Sequence, residues 1–370
     1  MTDYDLFYIR HTVFRNIKED ARAAEAMAEE YGFDVNSVRG RLSRANTPGN
    51  RIKLAKSLAY TSTTVSSSVK RQINVVSRSE ATFAARQADL EDAGKEVAGV
   101  FLADVHLPYT RWDALDLAMQ IVQDVQPVYV TGMNDAVDNA GLGKWEDTRS
   151  IKGRVWSADI ENLRRSEEEL YRLYYSVLPK NSLVLGVAGN HDNWYARHLR
   201  SVSAQTSERS IADYMEFLES LGVLQFGRGA EENAIHLSPK LVWWHGQFMS
   251  VRAETNAKKT IEQFVEDGMA KTVVVGHTHR PSRIDGYTIG YDGVTFYNAP
   301  CLSRLTKLPW MKRAPKGWKN GVVVNYWTPG TRSERGYLVV FYREGNKLVA
   351  DFNGKRYSTT YDDSVPEEFL

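Results

Sequence analysis

Five short apolar stretches in this chain each stop at a histidine or an aspartate, and that repeated stop confines the fold more than any other feature. Residues 97–103 run into Asp104-Val105-His106, and 127–131 into Gly132-Met133-Asn134-Asp135. Residues 183–188 run into Gly189-Asn190-His191-Asp192, 241–244 into His245, and 272–275 into Gly276-His277-Thr278-His279. Apolar runs this short, closed by turn residues, predict buried strands. Between them, 112–125 sets Leu115, Met119 and Val122 at helical spacing, and 160–178 does so with Ile160, Leu163, Leu170, Leu173 and Val177. Alternating strands and helices predict an α/β domain whose polar groups gather at the carboxyl ends of the strands. Alternating stretches at 321–326 and 337–342 predict further strands.

The residue types at those ends carry the chemistry. Five of the eight histidines stand there, together with Asp104, Asp135 and Asn190. Imidazole and carboxylate together suit manganese, iron or zinc, and a carboxylate placed between two cations bridges them. A lone histidine is more often a hydrogen-bonded structural residue than a ligand. Five at successive strand ends, beside two Asp-rich turns, are not a coincidence of that kind.

In order, Asp104-Val-His106, Asn134-Asp135-Ala-Val-Asp138, Gly189-Asn190-His191-Asp192, His245-Gly246 and Gly276-His277-Thr278-His279 resemble the motif set of the calcineurin-like metallophosphoesterase family. The resemblance covers 104–279, about half of the chain, and implies a fold of two mixed β-sheets sandwiched between helices. It implies two divalent ions, manganese favoured, with iron or zinc as alternatives. One ion would take Asp104, His106, Asp135 and His279. The other would take Asp135, Asn190, His245 and His277, with Asp135 bridging. A water or hydroxide shared by the ions would attack phosphorus. His191 would stay off the metals and serve the leaving oxygen, oriented by Asp138. The family pattern has glycine directly before the bridging aspartate, and this chain has Asn134. The Arg-Gly of the Ser/Thr protein phosphatases and the tyrosine ligand of purple acid phosphatases are both absent, with Asn139-Ala140 and Asp138 at those places. Neither subgroup is expected.

At 370 residues the chain has room for a large domain and a smaller one. One cysteine, Cys301, excludes a disulfide framework and fits a reducing compartment, and a compact architecture of this sort suits the cytoplasm of a bacterial or phage-infected cell. The start, MTDYDLFYIRHTVF, carries no basic leader ahead of an apolar core, so no signal peptide is expected, and the apolar runs are too short to span a membrane. Net charge is +1, but the charge is segregated: residues 35–79 hold nine Lys or Arg, 293–333 hold seven, and neither stretch holds an acid. Such stretches mark contact with an anionic partner or a solvated face.

Residues 1–60 read as a small helical region. A helix over 21–30 exits at Gly32, and Asp34 caps a second over 35–45. Ala28, Gly32, Phe33, Val38 and Leu42 fit a helix-turn-helix, leaving Asn36, Ser37, Arg39, Arg41 and Arg44 outward as on a recognition helix. The alternative is a helical hairpin with a basic solvated face. Residues 61–95 open on TSTTVSSSVK and are expected to be a linker or extended connector, with the phosphoesterase domain over 96–370. A later stretch, Arg304 to Lys319, mixes Lys312, Arg313 and other cations with Trp310 and Trp318, a composition suited to phosphates and stacked bases. It follows the Gly-His-Thr-His turn closely enough to border the site. These features favour a DNA nuclease or phosphodiesterase with nucleic acid as partner. A phosphatase on a small molecule or phosphoprotein is the alternative enzyme, and a DNA-binding regulator or assembly factor the alternative of another class.

Overall fold

The computed structural model describes residues 67–138, 156–189, 191–192, 204–226, 234–246, 255, 257, 272–286, 293–306, 316–331 and 334–362. The chain divides into two compact units, Met1–Lys70 and Arg71–Leu370. The helix-turn-helix expectation over 1–60, with Ser37, Arg39, Arg41 and Arg44, lies outside the described residues.

The segment expected to be an extended connector is instead mostly helix: α1 spans Ser67–Ala93. Its buried positions are Gln72, Val75, Ser79 and Leu90, spaced for one helical face, but two of them are polar, which blurs the apolar stripe in the sequence. Ser79 accepts the backbone N–H of Gln225 at 2.9 Å. Arg78 forks onto Glu219 at 2.7 and 2.6 Å.

Two mixed sheets form the body. In the first, β1 (Val97–Phe101), β2 (Tyr129–Met133), β3 (Leu183–Val187) and β4 (Val223–Gln225) run parallel. β10 (Gly321–Trp327) and β11 (Glu334–Val340) extend this sheet antiparallel beyond β1. Helices α2 (Trp112–Val125), α3 (Trp156–Val177) and α4 (Ala204–Ser220) fall between the parallel strands in the chain. In the second sheet β5 (Ile235–His236), β6 (Leu241–Trp244), β7 (Thr272–Val275), β9 (Thr295–Asn298) and β8 (Ser282–Asp285) lie in that order. β6, β7 and β9 are parallel, and β5 and β8 close the edges antiparallel. A third, antiparallel sheet joins β12 (Tyr342–Glu344), β13 (Lys347–Phe352) and β14 (Lys355–Thr360).

Strand alternation sorts the core. Phe101, Tyr129, Leu185 and Trp327 of the first sheet meet Trp243, Val274 and Tyr297 of the second between the sheets. Their neighbours Val100, Val130 and Val184 turn the other way, onto Leu115, Ile121, Leu170 and Leu218 of the helices. Val242, Trp244, Val273 and Val275 form a third cluster on the far face of the second sheet. Two sheets face each other with helices on the outer face of the first, which is the expected fold class. Among the described residues no helix is long and apolar enough to cross a membrane.

Candidate metal centre

The carboxyl ends of β1, β2, β3, β6 and β7 converge, and the loops that leave them are laced together by backbone bonds. Asp104 N–H donates to Asn134 O at 2.8 Å, His106 N–H to Asp135 O at 2.9 Å, and Asn134 N–H to Val187 O at 2.7 Å. The backbone at this end turns through the left-handed region six times at non-glycine residues: Asp104, His106, Asn134, Asp135, His277 and His279, with φ from 47° to 70°. Asn, Asp and His tolerate that conformation best, but a cluster of them marks a site whose surroundings hold the strain.

The side chains so aimed form two groups that share one cradle. In the first, His279 Nε2 lies 3.0 Å and His106 Nε2 3.7 Å from Asp104 Oδ1, and the two ring nitrogens are 3.3 Å apart. Asp104 Oδ1 is fully buried, yet neither approach to it has hydrogen-bond geometry. A buried carboxylate oxygen left this way among converging ring nitrogens is what a cation site requires. In the second group His245 Nε2 lies 3.0 Å from Asp135 Oδ2, with His277 close by. His106 and Asp135 also approach His191, which ties the two groups into one centre. The donor set, imidazole nitrogens with carboxylate oxygens, fits divalent transition metals at both.

Surrounding residues fix the orientation of these groups. His245 Nδ1 meets Asn134 Oδ1 at 2.7 Å, and Asn134 Nδ2 donates to Leu102 O at 2.6 Å, so His245 is left to present Nε2. Asn134 thus takes a glycine-like φ of 47° and adds an anchor that glycine lacks. Asp138 uses both oxygens, one 2.8 Å from His191 Nδ1 and the other 3.4 Å from His106 Nδ1. Asp192 Oδ2 accepts the backbone N–H groups of Gly189 at 2.7 Å and Asp135 at 3.0 Å, clamping two loops with one atom. Asp135 Oδ1 accepts the His191 N–H at 2.8 Å. A Cβ at Gly189 would fall 2.0 Å from that same Oδ1, so only glycine lets the aspartate approach.

Charge follows from this packing. Burial alone would raise Asp104, but His279 and His106 hold it well below the usual carboxylate range. Asp135 and Asp138 are lowered against burial in the same way, by His245 and His191 in one case and by His106 and His191 in the other. His106, His245 and His279 are raised, burial being outweighed by their carboxylates. His277 goes the other way: burial, then His245, pushes it down to about 3 and leaves it neutral. Asp192, buried beside the Asp135 charge, is pushed up to about 7.

The structure therefore brings together Asp104, His106, Asp135, Asp138, His191, His245, His277 and His279. Asn190, Lys312 and Arg313 lie outside the described residues. Three residues that sequence reasoning did not place also belong here. Asn134 had a signal, as the departure from the family glycine. Asp192 closes the Gly-Asn-His-Asp motif without having been given a role. Trp318 was singled out for its composition, and its ring now lies 4.0 Å from that of His279, with Lys319 N–H donating to His279 O at 3.0 Å.

No family model matches this chain, and no curated protein does. Among solved structures it is similar to a conserved predicted phosphoesterase from Streptococcus pneumoniae TIGR4, at 11% identity over 72% of this chain and 99% of that one, with a TM-score of 0.29. It is also similar to zinc-complexed Vps29 from Entamoeba histolytica, at 9% identity over 72% and 99%, with a TM-score of 0.33. A metallophosphoesterase from Sphaerobacter thermophilus matches at 14% identity over 66% and 88%, with a TM-score of 0.34. Likenesses this distant do not bear on what the chain does.

Proposed function

We propose that this chain is a two-metal phosphoesterase acting on phosphodiesters of nucleic acid. The observation that carries the proposal is the buried double group: Asp104, His106 and His279 on one side, His245 and His277 on the other, with Asp135 reaching both. Asp135 would complete the first set and Asn190 the second. Divalent ions bound there, manganese favoured, supply an activated water and neutralise charge that builds on the phosphoryl oxygens.

The protein's own groups do the rest. Asp104, backed by the His277 N–H at 2.9 Å, and His245, backed by Asn134, are held in place before any ligand arrives. His191, gripped by Asp138 through Nδ1, offers Nε2 to the leaving oxygen as a proton donor. Preference for nucleic acid is supported by the acid-free stretch 293–333, in which the Trp318 ring lies against His279 and Lys319 N–H donates to His279 O. Residues 1–60 would add affinity for the polymer, with Ser37, Arg39, Arg41 and Arg44 toward the phosphates.

Metal analysis after manganese loading tests the core of this proposal. Two ions per chain are expected. Asp135→Asn should lose both and nearly all hydrolysis of p-nitrophenyl esters, whereas His277→Ala should keep one ion. A loaded protein with no bound ion would sink it. Activity on p-nitrophenyl monoesters but not on diesters would replace the nuclease with a phosphatase.

A further inference from the structure

Trp318 differs from every other tryptophan whose side chain the structure describes. Trp243 and Trp327 belong to the cluster between the sheets, Trp244 to the cluster on the far face of the second sheet, and Trp112 packs on the helix-side cluster. Trp318 belongs to none of these and is half-buried. Its ring lies against that of a candidate metal ligand, His279, with centroids 4.0 Å apart and planes inclined by 55°.

Its position is fixed from both sides. The Lys319 N–H bond to His279 O ties the segment alongside the Gly-His-Thr-His turn. Before it, Gly317 has φ +79°, and a Cβ there would lie 3.9 Å from Cγ and Nε of Arg280, so the arginine side chain packs beside the glycine. Lys316 and Lys319 are exposed on either side of Trp318. Two lysines thus flank the indole in sequence, in a stretch of chain from 293 to 333 that holds no acid, and Arg280 passes close to Gly317 beside it. Cations around an aromatic face are the combination by which proteins hold single-stranded nucleic acid, the ring taking a base and the cations its flanking phosphates.

Resting on the phosphoesterase reading above, we propose that Trp318 is the stacking platform for a nucleobase of the substrate, beside the phosphate that is cut. Arg280, Lys316 and Lys319 hold the neighbouring backbone. A base inside a duplex is already stacked on its neighbours, so this platform takes an unstacked one. The preferred substrate is therefore single-stranded nucleic acid or an open nucleoside phosphodiester rather than intact duplex.

The test compares two esters with the same leaving group on the manganese-loaded full chain: thymidine 5′-(p-nitrophenyl phosphate) and ethyl p-nitrophenyl phosphate. The readout is the ratio of their kcat/KM values, which a mere prop for His279 would not move. Trp318→Leu, which keeps an apolar side chain against His279, should lower the ratio roughly 5- to 150-fold, the span of one base–aromatic stack. Trp318→Phe should restore most of it. An unchanged ratio in Trp318→Leu, with both esters slowed alike, overturns the proposal. If the unaltered protein cleaves neither ester, the phosphoesterase reading fails, and binding of oligo(dT) decides the platform alone. Trp318→Leu should then weaken that binding by a similar factor, and equal affinities overturn it.

Discussion

Two parts of the molecule use the same rare backbone conformation for opposite ends. Between β13 and β14 the chain reverses in two residues, Asn353-Gly354, both with positive φ, and Phe352 pairs directly with Lys355 across the turn. That is the type I′ geometry whose twist suits a hairpin, and Asn-Gly is its least strained sequence. At the carboxyl ends of the central strands six non-glycine residues adopt similar angles, and four of them are Asp104, His106, His277 and His279. None of these six closes a two-residue hairpin. Left-handed backbone at a non-glycine residue costs on the order of 1–2 kcal/mol. In the hairpin it closes a ladder, whereas in the loops it points carboxylates and imidazoles at one another. The conformation is local and cheap in the first case, and in the second it must be stabilised by the apolar layers beneath.

If that contrast is right, function and stability should separate cleanly by region, and His191 offers the largest effect. Its Nδ1 is held by Asp138, and its role is assigned to the leaving oxygen rather than to an ion. His191→Ala should lose roughly two to four orders of magnitude in turnover while retaining both ions. Esters with a p-nitrophenolate leaving group should suffer less than those with an alkoxide, because the better leaving group needs less help from a proton. Metal analysis of the variant is decisive: loss of an ion would make His191 a ligand and break the division.

Glu167 extends the comparison to the helix layer. Asp104, Asp135 and Asp138 are held down by histidines, but, like Asp192, Glu167 in α3 moves the other way. Burial, reinforced by Asp192, pushes it up to about 8, against the pull of Tyr214, whose hydroxyl donates to its oxygens at 2.9 and 3.2 Å. A carboxyl raised in the fold stays protonated there while the unfolded chain ionises near 4.5. Its contribution to stability is complete below pH 4.5, shrinks as pH rises, and is gone above about 8. Glu167→Gln removes that dependence. Its melting temperature should match the parent near pH 4 and exceed it at pH 7, by the equivalent of at most about 3 kcal/mol. A difference that does not change with pH would mean that Glu167 is ionised in the fold.

Much of the sheet and most of the site were legible in the sequence because both follow from strand ends. Runs such as 241–244 and 272–275 coincide with β6 and β7, and the helix over 112–125 with α2. The ligand-type residues stand immediately beyond such runs, so finding the strand finds the candidate ligand. What escaped did so for identifiable reasons. The face of α1 is half polar, with Gln72 and Ser79 buried, Ser79 through a hydrogen bond from Gln225 N–H that no apolar period reveals. The β13–β14 hairpin carries its signal in Asn353-Gly354, but exposed Lys347, Asp351 and Lys355 dilute the strands on either side. The roles of Asn134 and Trp318 depend on residues more than 30 positions away, and no local pattern encodes such contacts.

The smallest expected effect is also the most direct test of the opening contrast, because it sets two asparagines of like conformation against each other. Asn134 has φ 47° and Asn353 φ 52°, so glycine satisfies the backbone at either place. At Asn353 nothing else is required by the turn. Asn353→Gly should leave metal binding untouched and stability within about 0.5 kcal/mol, while Asn353→Ala should cost about 1 kcal/mol through φ alone. At Asn134 the side chain carries a second duty, since its oxygen meets His245 Nδ1 and its amide nitrogen donates to Leu102 O. Asn134→Gly restores the residue of the family pattern, keeps the φ and removes both bonds. His245 is then free to rotate, and Leu102 O loses a buried donor. Outer partners of this kind typically contribute 10- to 100-fold in metal affinity. Calorimetric manganese titration of Asn134→Gly should show that loss for the ion on the His245 side and little change for the other. Equal affinities in Asn134→Gly and Asn353→Gly would mean that Asn134, like Asn353, is there for its backbone alone.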